Sequence, residues 1–221
     1  MSERLESDII SHVYAPGAHL AEDEIAAQLG VSRTPVREAF RVLQRAGWLD
    51  IYPHAGAYVR TPSLEEARQI FEVRQCLERR AAELSALRSK DVDQRTLRKI
   101  IEKGWRQLER GSVSGITTLN SEFHSVIARS GGNDVLAKML DDIGKQVRWH
   151  FASVAMVRGA DSWREHEEIL QAINERDPGT AARLAVDHST RTQEALFLHL
   201  LRGQQSVFDH ALPGGAAVEG G

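Results

Sequence analysis

At 221 residues, with 42% hydrophobic and 27% charged residues, the chain has room for two small domains and the composition of a folded protein, which excludes a disordered or fibrous one. Its formal net charge of -3 provides no overall basic field, so any binding of nucleic acid must come from a local basic face. No apolar run approaches the roughly 18 residues that cross a bilayer, and the start MSERLESDII lacks the basic-then-apolar pattern of a signal peptide. The single cysteine, Cys76, has no intramolecular partner, lies in an apolar helical pattern and is expected to be buried. These features together suit a reducing, cytoplasmic location and no membrane partner.

Leu5, Ile9, Ile10 and Val13 recur at helical spacing and predict a helix over 2–13, stopped before Pro16-Gly17. A second helix covers 22–29 and ends at Gly30. Ser32 or Thr34 can cap a third, which tolerates Pro35 in its first turn and runs to Ala46, with Gly47 as its stop. Leu49 to Tyr52 and Ala57 to Arg60 alternate as two short strands around the turn Pro53-His54-Ala55-Gly56. Three helices and a hairpin make a winged helix-turn-helix over 1–62. Beyond Thr61-Pro62-Ser63 only helical periods remain. Six helices are expected near 64–88, 91–110, 116–130, 134–157, 161–176 and 178–202, separated by Gly111, Gly131-Gly132, Gly159 and Asp177-Pro178-Gly179. The expected fold class is therefore mainly α: a winged helix with a small β-hairpin, then an all-α bundle over 63–203. Residues 204–221, rich in Gly and Ala after Pro213, read as a flexible tail.

In the third helix Val36, Phe40 and Leu43 share one face, while Arg33, Arg37, Arg41 and Arg45 form a stripe at i, i+4 spacing on another. Like charges at this spacing cost an isolated helix a few tenths of a kcal/mol per pair, so the stripe suits a polyanion; the alternative is a solvated face. Residues 1–62 hold six arginines against eight carboxylates, so a DNA contact would have to be focused on this one helix. The stretch VSRTPVREAFRVLQRAGWL, 31–49, preceded by PGAHLAEDEIAAQLG from Pro16, closely resembles the DNA-binding head of the GntR family of bacterial regulators, over about residues 4–60. The resemblance implies that Arg33 and Arg37 reach phosphates and base edges in the major groove, where arginine can bind guanine bidentately. It implies that Ser32 and Thr34 hold phosphates, with Arg41 continuing the basic ridge. The wing tip, His54 to Gly56, would enter the minor groove, glycine permitting close backbone approach; His54 reads equally as a solvated loop residue.

The helical part is similar to the FCD domain of the FadR branch of that family, over about residues 64–202. That resemblance implies a divalent metal, zinc or nickel, held by an acidic residue and three histidines, which here fall on Asn120, His124, His166 and His188. Asparagine replaces the usual aspartate, which weakens cation binding but leaves the site a full positive unit to attract an anion. The segment NSEFH puts Asn120 and His124 at i, i+4, about 6 Å apart on one helix face. His166 lies 11 residues before Asp177 and His188 lies 10 past Pro178, so antiparallel helices bring them nearly level. An open coordination position would take a carboxylate, which makes a small organic acid the expected effector. Arg74 and Arg148 interrupt apolar stripes and could clamp that carboxylate as a fork, or pair structurally with Glu78 or Asp141. Trp105, Trp149 and Trp163 could line a pocket, though aromatics in a bundle are usually core.

One winged head contacts few base pairs, so a homodimer on a pseudo-palindromic operator is expected, acting as a repressor that the ligand relieves. Two rivals stand beside this reading. One is a metal-dependent hydrolase with Glu167 or Glu168 as base, although HExxH, a nucleophile elbow and a phosphate loop are all missing from the sequence. The other is a metal-free regulator of the same family that takes a larger acyl ligand.

Overall fold

The computed structural model describes residues 1–53, 55–61 and 63–211, with side chains as far as residue 202. Helix α1 (Ser2–Ile10) buries Leu5, Ile9 and Ile10. It stops short of the expected residue 13 because His12 turns the backbone left-handed, φ 59°, and its ring Nε2 lies 3.0 Å from the Trp149 carbonyl. Strand β1 (His19–Leu20) leads into α2 (Glu22–Leu29), which closes at Gly30 with φ 65°, a conformation natural to glycine. Helix α3 (Arg33–Arg45) follows, burying Val36, Ala39, Phe40 and Leu43.

Strands β2 (Leu49–Tyr52) and β3 (Gly56–Val59) pair antiparallel, with Leu49 opposite Val59 and Tyr52 opposite Gly56. The expected hairpin proves to be three-stranded, in the order β1-β3-β2, because His19 and Leu20 pair with Tyr58 and Ala57. A two-residue strand is too short to show alternation, which is why the sequence does not betray it. The buried faces of the three helices and the sheet share one core with Leu5, Phe40, Leu43 and Leu49.

The second part is a helical bundle: α4 (Leu64–Arg88), α5 (Asp91–Glu109), α6 (Val113–Ser130), α7 (Asp134–Ala152), α8 (Ala155–Asn174) and α9 (Pro178–Ala211). A reciprocal cap starts α4: Ser63 Oγ accepts from the Glu66 amide at 3.1 Å, and the Ser63 amide donates to Glu66 Oε2 at 3.0 Å. Ser112 caps α6 and Asn133 caps α7 in the same sense. Phe71, Leu97, Phe123, Phe151, Trp163 and Ile173 lie at the centre of the bundle.

Three expectations need correction. The break between the fourth and fifth bundle helices falls at Ser153-Val154, and Gly159 lies inside α8. A Cβ at Gly159 would come within 2.5 Å of Leu108 Cδ1, so this glycine lets α5 pack close and is not a stop. Helix α9 continues to Ala211, which makes the first part of the expected tail helical; the remainder, 212–221, lies outside the described residues. Cys76 is exposed. It is two residues from both Arg74 and Glu78, which are buried, and therefore points to the opposite side of α4.

The two parts meet through α7. Trp149 packs into the core of the winged helix, edge-to-face with Trp48 at 5.3 Å between ring centroids. Lys145 of α7 reaches Glu6 of α1 at 2.9 Å, and Trp48 Nε1 donates to the same carboxylate at 3.1 Å. Among the described residues no helix is long and apolar enough to cross a membrane.

Candidate functional site

Helix α3 keeps Arg33, Arg37, Arg41 and Arg45 exposed, as its amphipathic spacing requires. The first three are not free. Arg37 grips Glu22 with two bonds, Nε to Oε1 at 3.0 Å and Nη2 to Oε2 at 2.7 Å. Arg33 pairs with Asp23, and Arg41 pairs with Glu38 at 2.8 Å. The bond from Arg37 holds the Glu22 carboxyl below its ordinary range. Acidic residues at the start of α2 thus occupy the guanidinium forks from the side, a role hidden in the sequence, where they register only as net charge.

Ser32 is the N-cap residue of α3, yet its hydroxyl caps nothing, and Thr34 is exposed beside it. Both hydroxyls stand at a helix N-terminus, where backbone amides and the helix dipole favour an anion. Between α3 and the wing runs a groove lined by His19, Arg37, Arg41, Gln44, Tyr52 and Gly56. Gly56 has φ 96°, and a Cβ there would lie 2.5 Å from His19 Nε2, so the wing turn admits only glycine while His19 packs beneath it. His54 lies outside the described residues.

In the bundle, α6, α8 and α9 bring His124, His166 and His188 together, with one nitrogen of each within 4.8 Å of the others. His166 Nε2 and His188 Nε2 face each other at 3.3 Å. Buried carboxylates hold the far side of two rings: Glu165 Oε2 is 2.8 Å from His188 Nδ1, and Glu78 Oε1 is 2.8 Å from His124 Nδ1. Carboxylates so placed keep the proton on Nδ1 and turn the Nε2 lone pairs inward, the arrangement that orients metal-binding imidazoles. Burial drives His166 well below its ordinary pKa and His188 down to about 4, so both rings are neutral, as cation binding requires. Burial pushes the Glu78 carboxyl up, but Arg74 and His124 outweigh it and hold the group well below the usual range. Asn120 is 5% exposed, and its Oδ1 has no hydrogen-bond partner among the described residues. An orphaned buried oxygen on the helix that carries His124, beside a cluster whose two buried imidazoles are neutral, fits a bound divalent ion.

Arg74 is buried with its Nε 2.9 Å from Glu78 Oε1 and its Nη2 3.1 Å from His124 Nε2. Its pairing with Glu78 is the structural reading made from the sequence, and the second contact sets the guanidinium directly on the histidine cluster. A cavity of about 390 Å³ opens above this point, lined among others by Arg74, Asn120, His124, Val147 and Arg148. Arg148 does not pair with Asp141, which binds Ser125 and Arg129 instead. Among the described residues no carboxylate reaches Arg148, and burial lowers its pKa. Two guanidinium groups therefore line one cavity that reaches the histidine cluster at His124.

Glu167 and Glu168 are both exposed, Glu167 accepting from Trp105 Nε1 at 2.8 Å, so neither stands beside the imidazoles. The sequence reading missed Glu165, which contacts His188, Arg158 and Arg191. Its signal was available: Glu165 lies 23 positions before His188, and the same antiparallel register that aligns His166 with His188 also aligns its neighbour. Of the tryptophans, Trp163 is core and stacks edge-on to His166 at 4.9 Å, Trp105 is half-buried, and Trp149 belongs to the junction with the head.

An arginine-bearing surface helix set against a hairpin wing defines a winged-helix DNA-binding protein. The description "Bacterial regulatory proteins, gntR family" matches residues 1–59 and "FCD domain" matches residues 69–191, and the chain belongs to the GntR family of transcriptional regulators, with an FCD domain as its helical part. Among its relatives is the HTH-type transcriptional repressor RspR of Escherichia coli, 26% identical over 194 residues, spanning 87% of this chain and 85% of that one. The Nta operon transcriptional regulator of Aminobacter aminovorans is 28% identical over 202 residues, spanning 88% and 91%. The fold is shared with Escherichia coli McbR/YncC, TM-score 0.77 at 21% identity over 90% of this chain and 96% of that one. It is also shared with a GntR regulator from Rhodococcus sp. RHA1, TM-score 0.75 at 21% identity over 89% and 95%.

Proposed function

We propose that this protein is a non-enzymatic repressor that binds a pseudo-palindromic operator as a homodimer and leaves it when a small organic acid occupies the cavity above the histidine cluster. In this reading residues 1–62 form the DNA-binding head, 63–203 the effector and dimerisation domain, and 204–221 a tail. Arg33 and Arg37 exchange their carboxylate partners on α2 for phosphate oxygens and base edges, Arg41 extends the ridge, and Ser32 and Thr34 hold phosphates at the N-terminus of α3. The wing, with His54 and Gly56 at its tip, follows the minor groove. Repression itself is read from the name of RspR and from the family.

His124, His166, His188 and the Asn120 oxygen would hold a divalent ion, zinc or nickel, which when bound supplies a Lewis-acidic point for a carboxylate oxygen. Arg74 and Arg148 orient the same carboxylate from the cavity walls. The observation that carries the reading is the unpartnered Asn120 Oδ1 beside three converging imidazoles under a cavity that holds two guanidinium groups. Transmission to the head runs through α7, where Arg148 faces the cavity and the next residue, Trp149, is packed into the head. An acid that drew Arg148 inward would shift Trp149 and with it the balance of head positions, which requires different affinity of the acid for the two states.

Metal analysis of chelator-free protein, followed by a thermal-shift screen of sugar acids, hydroxy acids and aromatic acids with and without zinc or nickel, tests this. The expected result is one ion per chain and an acid whose stabilisation disappears with the metal. Protein without an ion, whose ligand binding is indifferent to His124→Ala, would favour a metal-free regulator with a larger acyl ligand.

A further inference from the structure

Between the head and the bundle lies a cavity of about 340 Å³ that neither the DNA-facing groove nor the histidine cluster uses. Both parts build it: Trp48 comes from the head, Ile70 and Val73 from α4, and Gln146, Trp149 and His150 from α7. Two indoles and the aliphatic side chains of Ile70, Val73 and Ile143 give it apolar walls, which Gln69, Gln146 and His150 interrupt with polar groups. At its margin Arg60 and Glu66 are paired with each other, so no unpaired ion faces inward. Trp48 Nε1 is committed to Glu6 and offers the cavity its ring alone.

The polar groups left over point to an occupant. Trp149 and His150 are only 4% and 5% exposed, yet among the described residues no hydrogen bond reaches Trp149 Nε1 or the His150 ring. A buried donor in the state of Trp149 Nε1 costs about 1–3 kcal/mol and calls for an explanation, and the His150 ring beside it has its nitrogens uncommitted among the described residues. Burial lowers His150 to about 4, so its ring is neutral near pH 7 and presents one donor and one acceptor.

We propose that this junction cavity is a second ligand site, for a small uncharged aromatic molecule that carries one hydroxyl or ring N–H, the chemistry of phenols and indoles. Its volume is in the range that takes small ligands, about 300–1,000 Å³, and it admits a single or fused ring with room to spare. Aromatic faces favour another ring at offset or edge-on geometry. His150 bonds the single polar group. A carboxylate is disfavoured, since desolvating it finds no free cation in return. The occupant touches head and bundle together, so it fastens one head position and alters operator affinity by a route that needs no metal.

The test uses the full chain, with phenol and indole as probes and benzoate as the charged control, followed by titration calorimetry. Val73 is half exposed, so Val73→Trp fills the cavity from the surface of α4, and His150→Phe keeps the ring while removing its nitrogens. Circular dichroism confirms that both variants fold. The expected result is saturable binding of phenol or indole, one per chain, with a dissociation constant below about 1 mM. Each variant weakens binding at least about tenfold, equivalent to the loss of one hydrogen bond or one fitting surface. Excess chelator leaves it unchanged, which separates this site from the histidine cluster whether or not that cluster binds metal. The proposal is overturned if neither probe binds saturably, if binding survives both variants, or if chelator abolishes it.

Discussion

The arginines of α3 and the histidines of the bundle sit in opposite physical settings. The arginines are exposed, and Arg33, Arg37 and Arg41 pair with Asp23, Glu22 and Glu38 at the solvent-facing surface; such pairs are weak enough to be exchanged for phosphate. The histidines are buried, and every charged group near them is tied to another, Glu78 to Arg74 and His124, Glu165 to His188, Arg158 and Arg191. Groups taken out of water in this way keep one geometry, because an unpaired member would be costly. The contrast places exchangeable contacts on the exposed face of α3 and a preorganised cluster in the interior. Helix α7 links the histidine site to the head, through Arg148 in the cavity wall and Trp149 in the head core.

The contrast breaks most visibly at the head. Reversing Arg33 and Arg37 together to Glu is expected to weaken retention of a promoter fragment in a gel at least about 100-fold while leaving the thermal unfolding of the bundle in place. Retention at the wild-type level would remove α3 from the DNA interface. Next in size is the joint: Trp149→Ala empties an indole site in the head core and should cost about 3–5 kcal/mol. Scanning calorimetry should then show the transition of the head moved to lower temperature relative to that of the bundle, since the two parts lose their shared contact.

Acid sharpens the comparison, because only the buried side resists protonation. With a folded pKa of about 4 against about 6.5 unfolded, His150 takes up its proton in the unfolded chain first. Stability therefore falls as pH drops from about 6.5 to about 4 and levels off below, a loss of about 3 kcal/mol from this residue. In His150→Gln the slope of denaturation free energy against pH should fall by one proton in that window; an unchanged slope would mean that the ring is already solvated. A smaller effect is expected from Glu165→Gln, which leaves His188 without its anchoring carboxylate and should lower zinc affinity about 10- to 100-fold in a chelator competition. Smallest is Glu22→Gln, which frees the Arg37 fork: fluorescence anisotropy on operator DNA should change by less than about tenfold, in the direction of tighter binding.

Much of the molecule was legible in one dimension. Helical period located α2, α3 and each bundle helix, and Gly30 and the Asp177-Pro178-Gly179 turn marked real ends. Antiparallel register alone placed His166 level with His188, now 3.3 Å apart at Nε2. Glycine misled where it served packing: at Gly159 the missing side chain makes room for Leu108, and a stop and a close approach look the same in sequence. Cys76 misled because the apolar pattern of α4 does not say which face is covered. Trp149 read as a pocket or core residue of the bundle, and nothing local distinguishes a residue that packs at home from one that packs next door.

Periodicity and spacing by themselves determined the helices, the hairpin of β2 and β3, the arginine ridge and the level of His166 with His188, since these depend on backbone geometry within one element or between neighbours joined by a short turn. Tertiary structure alone decided that Glu22 would grip Arg37, that Glu165 and Glu78 would hold the imidazoles, and that Trp149 would enter the head. The physical reason is range: a helix repeats every 3.6 residues, whereas the contact of His12 with Trp149 spans 137 positions and exists only when two packed surfaces meet.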